Sequence, residues 1–247
     1  MLHNKVIKVI FEKNIMTYFY SKFDFQSYLV FENLSSEEKK FIETLTENIS
    51  LKKGSCLFHE DGIPTGIFQI TKGRVKKFKR GFSNRKQIFY IYTPGDILGY
   101  HALLGEERYQ DSCEALDDLH LKFISETNFF KLLNKIPSLK DAFIKNISHE
   151  FGVLANTITV LAQKDQNTRL AIFLLVFEHR FKATDLDFKG INLSREDLAN
   201  CIGTSRESLG RSLKQLKEDG MITVQKRFIL IKNKALLYNL IQLQTNT

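Results

Sequence analysis

Residues 194–217 constrain the fold of this chain more than any other stretch of its sequence. They read SREDLANCIGTSRESLGRSLKQLK, in which Ser194 is placed to cap one helix and either Thr204 or Ser205 a second. Gly203 falls between the two helices, where a tight turn often needs the positive φ that glycine adopts without strain. The apolar residues of the second helix recur at helical spacing at Leu209, Leu213 and Leu216. The pattern predicts a helix-turn-helix.

The residues that follow extend this motif. Gly220 ends the second helix, and residues 221–231 alternate in apolar blocks around Gln225, Lys226 and Arg227. Such a pattern predicts a β-hairpin with a basic tip. A helix, a turn, a second helix and a hairpin in this order are typical of a winged helix.

The second helix carries side chains whose chemistry suits a DNA duplex. Arg206 and Arg211 can each fork onto guanine, and Glu207 can accept a hydrogen bond from the cytosine amino group. Nearby lysines and hydroxyls suit phosphates, which position a protein without specifying sequence. The predicted DNA-binding residues are Ser205, Arg206, Glu207, Ser208, Arg211, Lys214, Lys217 and Lys226. A surface helical hairpin with a solvated charged face remains the alternative at this point.

The chain is basic, with a formal net charge of +8 over 247 residues, and the excess is denser after residue 164. This balance favours a nucleic-acid partner without proving one. No apolar run approaches the roughly 18 residues that span a membrane. Lys5, Lys8 and Glu12 interrupt the apolar residues at the N-terminus, so no secretory signal is indicated. We expect a cytoplasmic protein without a membrane partner.

The sequence carries no signature of a metal site or of an enzyme. Cys56, Cys113 and Cys201 lie far apart and form no C-x-x-C pair, so neither a disulfide framework nor a zinc site is indicated. There is no H-E-x-x-H, no P-loop and no G-x-G-x-x-G. We expect no metal, no resident cofactor and no enzymatic activity.

Residues 51–125 have a different texture from the rest of the chain. Short runs rich in Phe, Ile, Tyr and Val alternate there with turn-forming glycines. These glycines are Gly54, Gly62, Gly66, Gly73, Gly81, Gly95, Gly99 and Gly105. Their spacing predicts a small antiparallel sandwich or barrel.

A long helix is predicted between these two regions, at about residues 137–163. One set of its apolar residues keeps an unbroken spacing of three and four: Ile144, Ile147, Phe151, Leu154, Ile158 and Leu161. This a/d spacing suits a coiled-coil contact between two copies of the chain. A helix buried against its own sheet would show the same pattern, so both interpretations stay open.

Two parts of the chain carry a family resemblance. Thr204–Arg211 resembles the recognition helix of the Crp/Fnr family of bacterial transcription regulators, and is most similar to its cyclic-AMP receptor protein branch. The glycine-rich region resembles the family's cyclic-nucleotide-binding β-roll. The segments that carry this second likeness are Leu51–Gly54, Ile67–Val75, Pro94–Gly99 and Ala115–Asp118.

The resemblance implies an α+β fold in three parts. They are an N-terminal β-roll of antiparallel jelly-roll type, like a cyclic-nucleotide-binding domain, a long dimerisation helix, and a C-terminal winged helix-turn-helix. The implied bounds are 31–136 for the effector-sensing β-roll, 137–164 for the helix and 165–247 for the DNA-binding domain. Residues 1–30 form an N-terminal segment of unknown role.

The resemblance also implies a function. A homodimer would read a palindromic operator with TGTGA-like half-sites, and RNA polymerase would be a further partner. By position, the base contacts fall on Arg206, Glu207 and Arg211. Polar residues on the long helix, here Asn156, help to form the effector pocket in this family.

The effector region departs from the family pattern. Gly99 is followed by Tyr100 where cyclic-nucleotide binders have Glu, and the position of the phosphate-binding Arg falls on Tyr109. Because burying a phosphate without a cationic partner is costly, we do not expect cyclic AMP as the effector. An iron–sulfur cluster would need four thiolates. The predicted pocket residues for an unidentified effector are Gly99, Tyr100, His101, Tyr109, Gln110 and Asn156.

Three functional hypotheses follow. The leading one is a homodimeric, sequence-specific DNA-binding transcription regulator with an unidentified effector. The second is a ligand-binding signalling module whose C-terminal domain contacts a protein partner. The third is a regulator that needs no ligand and is controlled by its abundance.

Overall fold

The computed structural model describes residues 16–81 and 85–243. Residues 1–15 of the predicted N-terminal segment, and the last four residues of the predicted DNA-binding domain, lie outside the described residues. Within the described part of that segment, residues 16–21 are helical and Ser27–Phe31 form a 3-10 helix. We call residues 16–34 the strap, since they contact the β-sheets, the long helix and the C-terminal domain described below.

The region rich in glycine turns folds into two antiparallel four-stranded sheets, with strand orders β1-β8-β3-β6 and β2-β7-β4-β5. The strands are β1 (Glu47–Leu51), β2 (Cys56–Phe58), β3 (Gly66–Lys72), β4 (Val75–Arg80), β5 (Lys86–Tyr92), β6 (Ile97–Leu98), β7 (Ser112–Ala115) and β8 (Leu119–Ser125). Gly73 joins β3 to β4 with φ +87°, where a Cβ would lie 2.6 Å from the carbonyl oxygen of Asp118. The predicted antiparallel β-roll is confirmed.

The interior of the β-roll is apolar and closely filled. Its buried side chains include Phe68, Ile70, Val75, Tyr92, Leu98, Leu119 and Leu121. Each such side chain contributes about 1.5–3 kcal/mol by leaving water. Phe25 of the strap belongs to the same buried cluster and is fully covered.

The helices include the predicted long helix and the two predicted helices of the helix-turn-helix, together with others. They are α1 (Ser36–Thr44), α2 (Tyr100–Leu104), α3 (Glu126–Lys135), α4 (Pro137–Gln163), α5 (Gln166–Thr184), α6 (Arg195–Ile202), α7 (Arg206–Glu218) and α8 (Lys234–Leu243). A hairpin of β9 (Ile222–Gln225) and β10 (Phe228–Ile231) follows α7. We call residues 165–243 the reader domain.

The long helix α4 carries two stripes rather than one, an inner stripe of buried apolar and polar residues and an outer apolar stripe. Its inner stripe packs on the β-roll and repeats every three or four residues through Leu139, Phe143, Asn146, Glu150, Val153, Thr157 and Val160. On another face the side chains of Ile144, Phe151 and Ile158 are 63%, 77% and 65% exposed; we call these three the outer stripe. The remaining members of the predicted seam, Ile147, Leu154 and Leu161, are half-buried against the core. The helix therefore packs on its own sheet and also presents half of the predicted seam to solvent.

The break between α4 and α5 is short. Lys164 is extended at φ −92° and ψ 145°, and the Asp165 carboxylate caps α5 by accepting from the backbone N–H groups of Asn167 and Thr168. The break is confined to Lys164 and Asp165, because Gln166 already begins the next helix. Most of α5 is buried, in the centre of the reader domain.

Candidate functional site

Local capping sets the geometry of the helix-turn-helix. The Ser194 hydroxyl accepts from the Asp197 backbone N–H at 2.9 Å and begins α6. Gly203 ends α6 at φ +64°, the left-handed conformation that the turn requires. The Ser205 hydroxyl then accepts from the Ser208 backbone N–H at 3.1 Å and begins α7. The predicted Ser194 cap and Gly203 turn are confirmed, and of the two predicted candidates for the second cap, Thr204 and Ser205, the structure uses Ser205.

A glutamine that sequence reasoning missed fixes α7 against α5. The Gln166 side-chain amide donates to the Ser208 carbonyl oxygen at 2.7 Å and to the Ser212 hydroxyl at 2.5 Å. Its amide oxygen accepts from the Thr204 hydroxyl at 2.7 Å. The inner side of α7 is also held by burial of Leu209, Leu213 and Leu216. The helix is therefore immobilised on one side only.

The opposite side of α7 faces solvent. Arg206, Glu207 and Arg211 are exposed, and the Arg211 guanidinium donates to the Ser208 hydroxyl at 2.6 Å. Hydrogen bonds from its own backbone N–H and from the Ser205 hydroxyl lower the pKa of the Glu207 carboxyl. The Glu207 carboxyl is therefore ionised at neutral pH and can accept hydrogen bonds.

The structure brings most of the predicted DNA-binding residues onto one surface. Ser205, Arg206, Glu207, Ser208 and Arg211 occupy the start of α7. Lys214 and Lys217 lie further along the same helix and are exposed. Lys226 lies apart from them, at the exposed tip of the β9–β10 hairpin with φ +53°. The predicted wing with its basic tip is confirmed.

The reader domain packs on the β-roll of its own chain through buried charges. Lys76 on β4 forms ion pairs with Asp197 at 2.8 Å and with Glu114 at 2.7 Å. Burial opposes the charge on Lys76, but its hydrogen bonds to the two carboxylates raise its pKa above the usual value. The Gln87 side chain adds a bond to the Cys201 carbonyl oxygen at 3.2 Å. These contacts join β4 and β5 to α6.

The predicted effector residues Tyr100 and His101 meet at a carboxylate instead of an open space. Tyr100 is fully buried, and its hydroxyl donates to Glu150 of α4. The His101 Nε2 atom bonds to the other oxygen of Glu150. The Asn146 amide donates to the Tyr100 hydroxyl at 2.8 Å and to Glu150 at 2.9 Å. Burial and the charge of Glu150 keep the pKa of Tyr100 well above its usual value, so this phenol stays protonated.

The other predicted effector residues point elsewhere. Gly99 adopts φ +91° at the start of α2, where a Cβ would lie 2.8 Å from the Gly66 carbonyl oxygen. Tyr109 is buried with its ring stacked on Phe58, the centroids 3.9 Å apart. Gln110 is exposed and donates to Glu107 at 2.6 Å. The Asn156 amide donates to the Lys22 carbonyl oxygen of the strap at 3.2 Å. The six residues therefore do not surround one common space.

A cyclic phosphate does not fit this region. Tyr100 and Tyr109 replace the expected Glu and Arg, and both are buried among the protein's own side chains. Arg108, next to the expected position, is exposed and donates to the Asp61 carbonyl oxygen at 2.7 Å. Among the described residues, no group of three or more His, Cys, Asp or Glu side chains is arranged to hold a metal ion.

Comparisons with known proteins agree with both halves of the fold. Residues 48–136 match the family of cyclic nucleotide-binding domains, and residues 168–240 match the Crp-like helix-turn-helix domains. The fumarate and nitrate reduction regulatory protein of Escherichia coli K12 is 25% identical over 193 residues, which are 77% of this chain and 76% of that protein. The transcriptional regulatory protein btr of Bordetella pertussis is 24% identical over 196 residues, 78% of this chain and 80% of that protein.

Solved structures show the same fold. The structure of FixK2 from Bradyrhizobium japonicum superposes with a TM-score of 0.70 at 24% identity, over 79% of this chain and 96% of that one. A c-di-GMP responsive global regulator, CLP from Xanthomonas campestris, superposes with a TM-score of 0.68 at 18% identity, over 81% of this chain and 100% of that one. In the part of the chain that the structure describes, no helix is long and apolar enough to cross a membrane.

A β-roll, a long helix and a winged helix-turn-helix thus occur here in one chain, in that order, and both end domains match the corresponding domain families. The winged helix presents a charged, exposed helix that suits DNA, and the predicted class of a regulator rather than an enzyme is confirmed by these relatives. The chain belongs to the Crp/Fnr family of DNA-binding transcription regulators.

Proposed function

We propose that this chain acts as a homodimer that reads a palindromic operator through Arg206, Glu207 and Arg211. The observation that carries this proposal is the asymmetry of α7. Its apolar side is fully buried, while these three side chains are exposed at the end that the helix-turn-helix presents outward. The N-terminal part of a recognition helix is the part that reaches base edges in the major groove.

The chemistry of the three side chains defines the half-site. Each arginine suits a guanine, where two parallel hydrogen bonds reach O6 and N7, and Glu207 suits the amino group of a cytosine. A TGTGA-like half-site offers such bases on its two strands. The remaining predicted contacts, Ser205, Ser208, Lys214, Lys217 and Lys226, suit phosphates and would anchor the helix and the wing.

The outer stripe of α4 supports the dimer. Ile144, Phe151 and Ile158 stand seven residues apart on a helix that is otherwise packed on its own domain. Three large apolar side chains exposed in a row are costly to leave in water. A second copy of the same helix would cover them in a two-fold arrangement. The two recognition helices would then lie about 34 Å apart, in successive major grooves.

The control of this regulator is proposed to differ from that of cyclic-nucleotide binders. An effector, if one acts here, would be neither cyclic AMP nor cyclic GMP, because Tyr100 and Tyr109 offer no cation to a phosphate. The predicted effector residues Tyr100, His101 and Asn156 are bonded to the chain's own groups, Glu150 and the Lys22 carbonyl oxygen, so they offer no open site for such a ligand. A regulator of bacterial promoters acts with or against RNA polymerase, so we propose polymerase as a partner and the cytoplasm as the location.

Selection of binding sites from random duplexes by the purified full chain tests the proposal. We expect an inverted repeat to be enriched. Arg206→Ala should then lose the preference for that repeat while keeping weak, salt-sensitive binding to any duplex. Lys131→Ala, which removes an exposed cation from α3, is the matched control and should bind as the wild type does.

Two results would overturn this function. If Arg206→Ala discriminated among operators as well as the wild type, α7 would not be the reading helix. If no inverted repeat were enriched, a protein partner for the reader domain would be favoured over DNA.

A further inference from the structure

The N-terminal end of the strap packs against the reader domain. The ring of Tyr20 stacks on His179 of α5, with centroids 4.0 Å apart and planes within 3°. The Tyr238 hydroxyl of α8 donates to the Tyr20 hydroxyl at 2.8 Å, and Phe19 meets the Tyr238 ring edge-on at 5.5 Å. Two helices of the reader domain therefore contact the first turn of the strap.

A buried arginine then joins the strap to both domains. Arg180 of α5 forms ion pairs with Asp24 of the strap and with Asp96 of the β-roll. It also donates to the Thr93 hydroxyl at 2.8 Å. The Tyr90 hydroxyl of β5 donates to Asp24 at 2.8 Å. The side chains of Arg180 and Asp96 are 6% and 0% exposed, so each charge depends on the others for its partner.

The next residue of the strap fills the β-roll. Phe25 is fully buried, and its ring stacks on Tyr90 with centroids 3.8 Å apart and planes within 5°. The Phe25 backbone N–H donates to the Tyr90 hydroxyl at 2.9 Å. The strap thus supplies an aromatic ring and two hydrogen-bonding groups to the interior of the sensor, as a bound small molecule would.

The long helix holds the backbone of the same segment. His149 donates to the Asp24 carbonyl oxygen at 2.8 Å, and Asn156 donates to the Lys22 carbonyl oxygen at 3.2 Å. Asn156 is the α4 residue expected to face an effector. Here its amide is bound to the protein's own chain.

The strap covers neither of the surfaces that DNA reading needs. Arg206 and Arg211 are exposed with the strap in place. Since a helix turns about 100° per residue, His149 and Asn156 lie on the flank of α4 away from Phe151 and the outer stripe. The strap therefore fastens the reader domain to the sensor without blocking the recognition helix or the proposed dimer contact.

We propose that residues 19–27 act as a built-in ligand, which holds the reader domain in its DNA-binding orientation so that operator binding needs no small-molecule effector. Without the strap, only the linker at Lys164 and Asp165 and the contacts of Lys76 and Gln87 with α6 would orient the reader domain. Apparent affinity falls in proportion to the fraction of molecules in the competent orientation. The strap, with the Arg180 network, removes that loss by fixing one orientation. This inference rests on the DNA reading proposed above.

The test uses full-length protein refolded from denaturant, so that no cellular metabolite is carried over. Binding to the enriched operator duplex is measured for the wild type, Asp24→Asn and Phe25→Ala. We expect the wild type to bind without any added ligand and both variants to lose about tenfold in affinity. Hydrogen exchange at the α5 and α6 amides should quicken in both variants. Glu32→Gln, which neutralises an exposed carboxylate of the strap, is the control and should match the wild type.

The affinities of the wild type and of the two variants decide whether the strap orients the reader domain. Variants that bind as tightly as the wild type, or more tightly, would overturn the proposal, as would a wild type that binds only after a metabolite is added. Asp24→Asn keeps the shape of the side chain, so it gives an answer even if Phe25→Ala fails to fold. Failure of the proposed function itself would look different, because no duplex would then be bound specifically and Arg206→Ala would change nothing.

Discussion

The recognition helix α7 and the effector region around α2 differ in how they meet solvent. In α7 the residues predicted to contact bases, Arg206, Glu207 and Arg211, are exposed. Around α2 the resemblance places tyrosines at the positions of the effector-binding Glu and Arg, and both rings, those of Tyr100 and Tyr109, are buried. The α7 side chains can contact a partner molecule, whereas Tyr100 and His101 are already bonded to Glu150 of the same chain. The two regions therefore differ in what they offer to a partner: α7 presents exposed charged side chains, and the surroundings of α2 are filled by the protein's own groups.

The largest expected effect comes from preventing dimerisation. Reading both half-sites of an operator requires a second copy of the chain, whereas the packing inside the effector region does not. Phe151→Glu places a charge in the exposed outer stripe and should leave the monomer folded, since the side chain it replaces is 77% exposed. It should prevent dimerisation, because a carboxylate buried in a seam has no partner. Operator affinity should fall about 100-fold or more, since two half-sites are no longer read together.

Light scattering and operator titration measure this effect. Thr159→Glu adds the same charge at an exposed site of α4 outside the seam, so it should remain dimeric and bind normally. A monomeric Phe151→Glu protein with wild-type operator affinity would contradict the proposed two-fold reading.

The second effect concerns the closed sensor. Glu150→Gln removes the charged acceptor shared by Tyr100, His101 and Asn146. The free energy of unfolding should fall by about 2 kcal/mol, since buried groups lose a charge-assisted bond. Operator affinity of the folded protein should stay within about twofold, because α7 is not touched. Denaturant unfolding and operator titration are measured together, with the exposed Asp141→Asn as the control.

The opposite result for Glu150→Gln would contradict the view that the effector region only stabilises the fold. A change in operator affinity with unchanged stability would mean that the Glu150 cluster transmits a signal rather than closing the sensor.

The smallest effect lies at the contact between the β-roll and helix α6 of the reader domain. Burial opposes ionisation of Glu114, but Lys76 and Lys86 lower its pKa below the usual value of 4.5. A carboxyl with a lowered pKa stabilises the fold above its usual pKa, and this contribution is lost as the pH falls through the folded value. Lys76→Met should therefore cost about 1 kcal/mol at pH 7, and the difference from the wild type should shrink as the pH falls below about 4.5.

Urea unfolding at a series of pH values measures this difference. Lys79→Met, on the same strand but in a half-exposed pair with Glu60, should cost less at every pH. A Lys76→Met deficit that stayed constant down to pH 3 would mean that Glu114 is not part of the contribution.

Features set by neighbouring residues were predictable from the sequence. Ser194, Gly203 and Ser205 act within one helical turn of their own position, so their caps and turn could be inferred directly. The turn glycines of the β-roll acted in the same local way. The position of Gln166, by contrast, follows only from the packing of α5 on α7.

Features made by distant residues were not predictable. Asp24 and Arg180 are 156 positions apart, and no local pattern links an acidic residue near the N-terminus to an arginine in a helix of another domain. The two stripes of α4 share one spacing, but periodicity revealed only the seam that contains the outer stripe, because the inner stripe includes the polar residues Asn146, Glu150 and Thr157. Asn156 was rightly singled out as a polar residue of the helix, but its partner is the backbone of the strap.

Operator binding by the refolded full chain, titrated with and without cyclic AMP, tests the central claim most directly. The claim is that DNA reading has been kept while the sensor has been closed by the chain itself. Specific binding of the inverted repeat without any ligand, unchanged by saturating cyclic AMP, is the predicted result. Binding that appears only when cyclic AMP is added would contradict it.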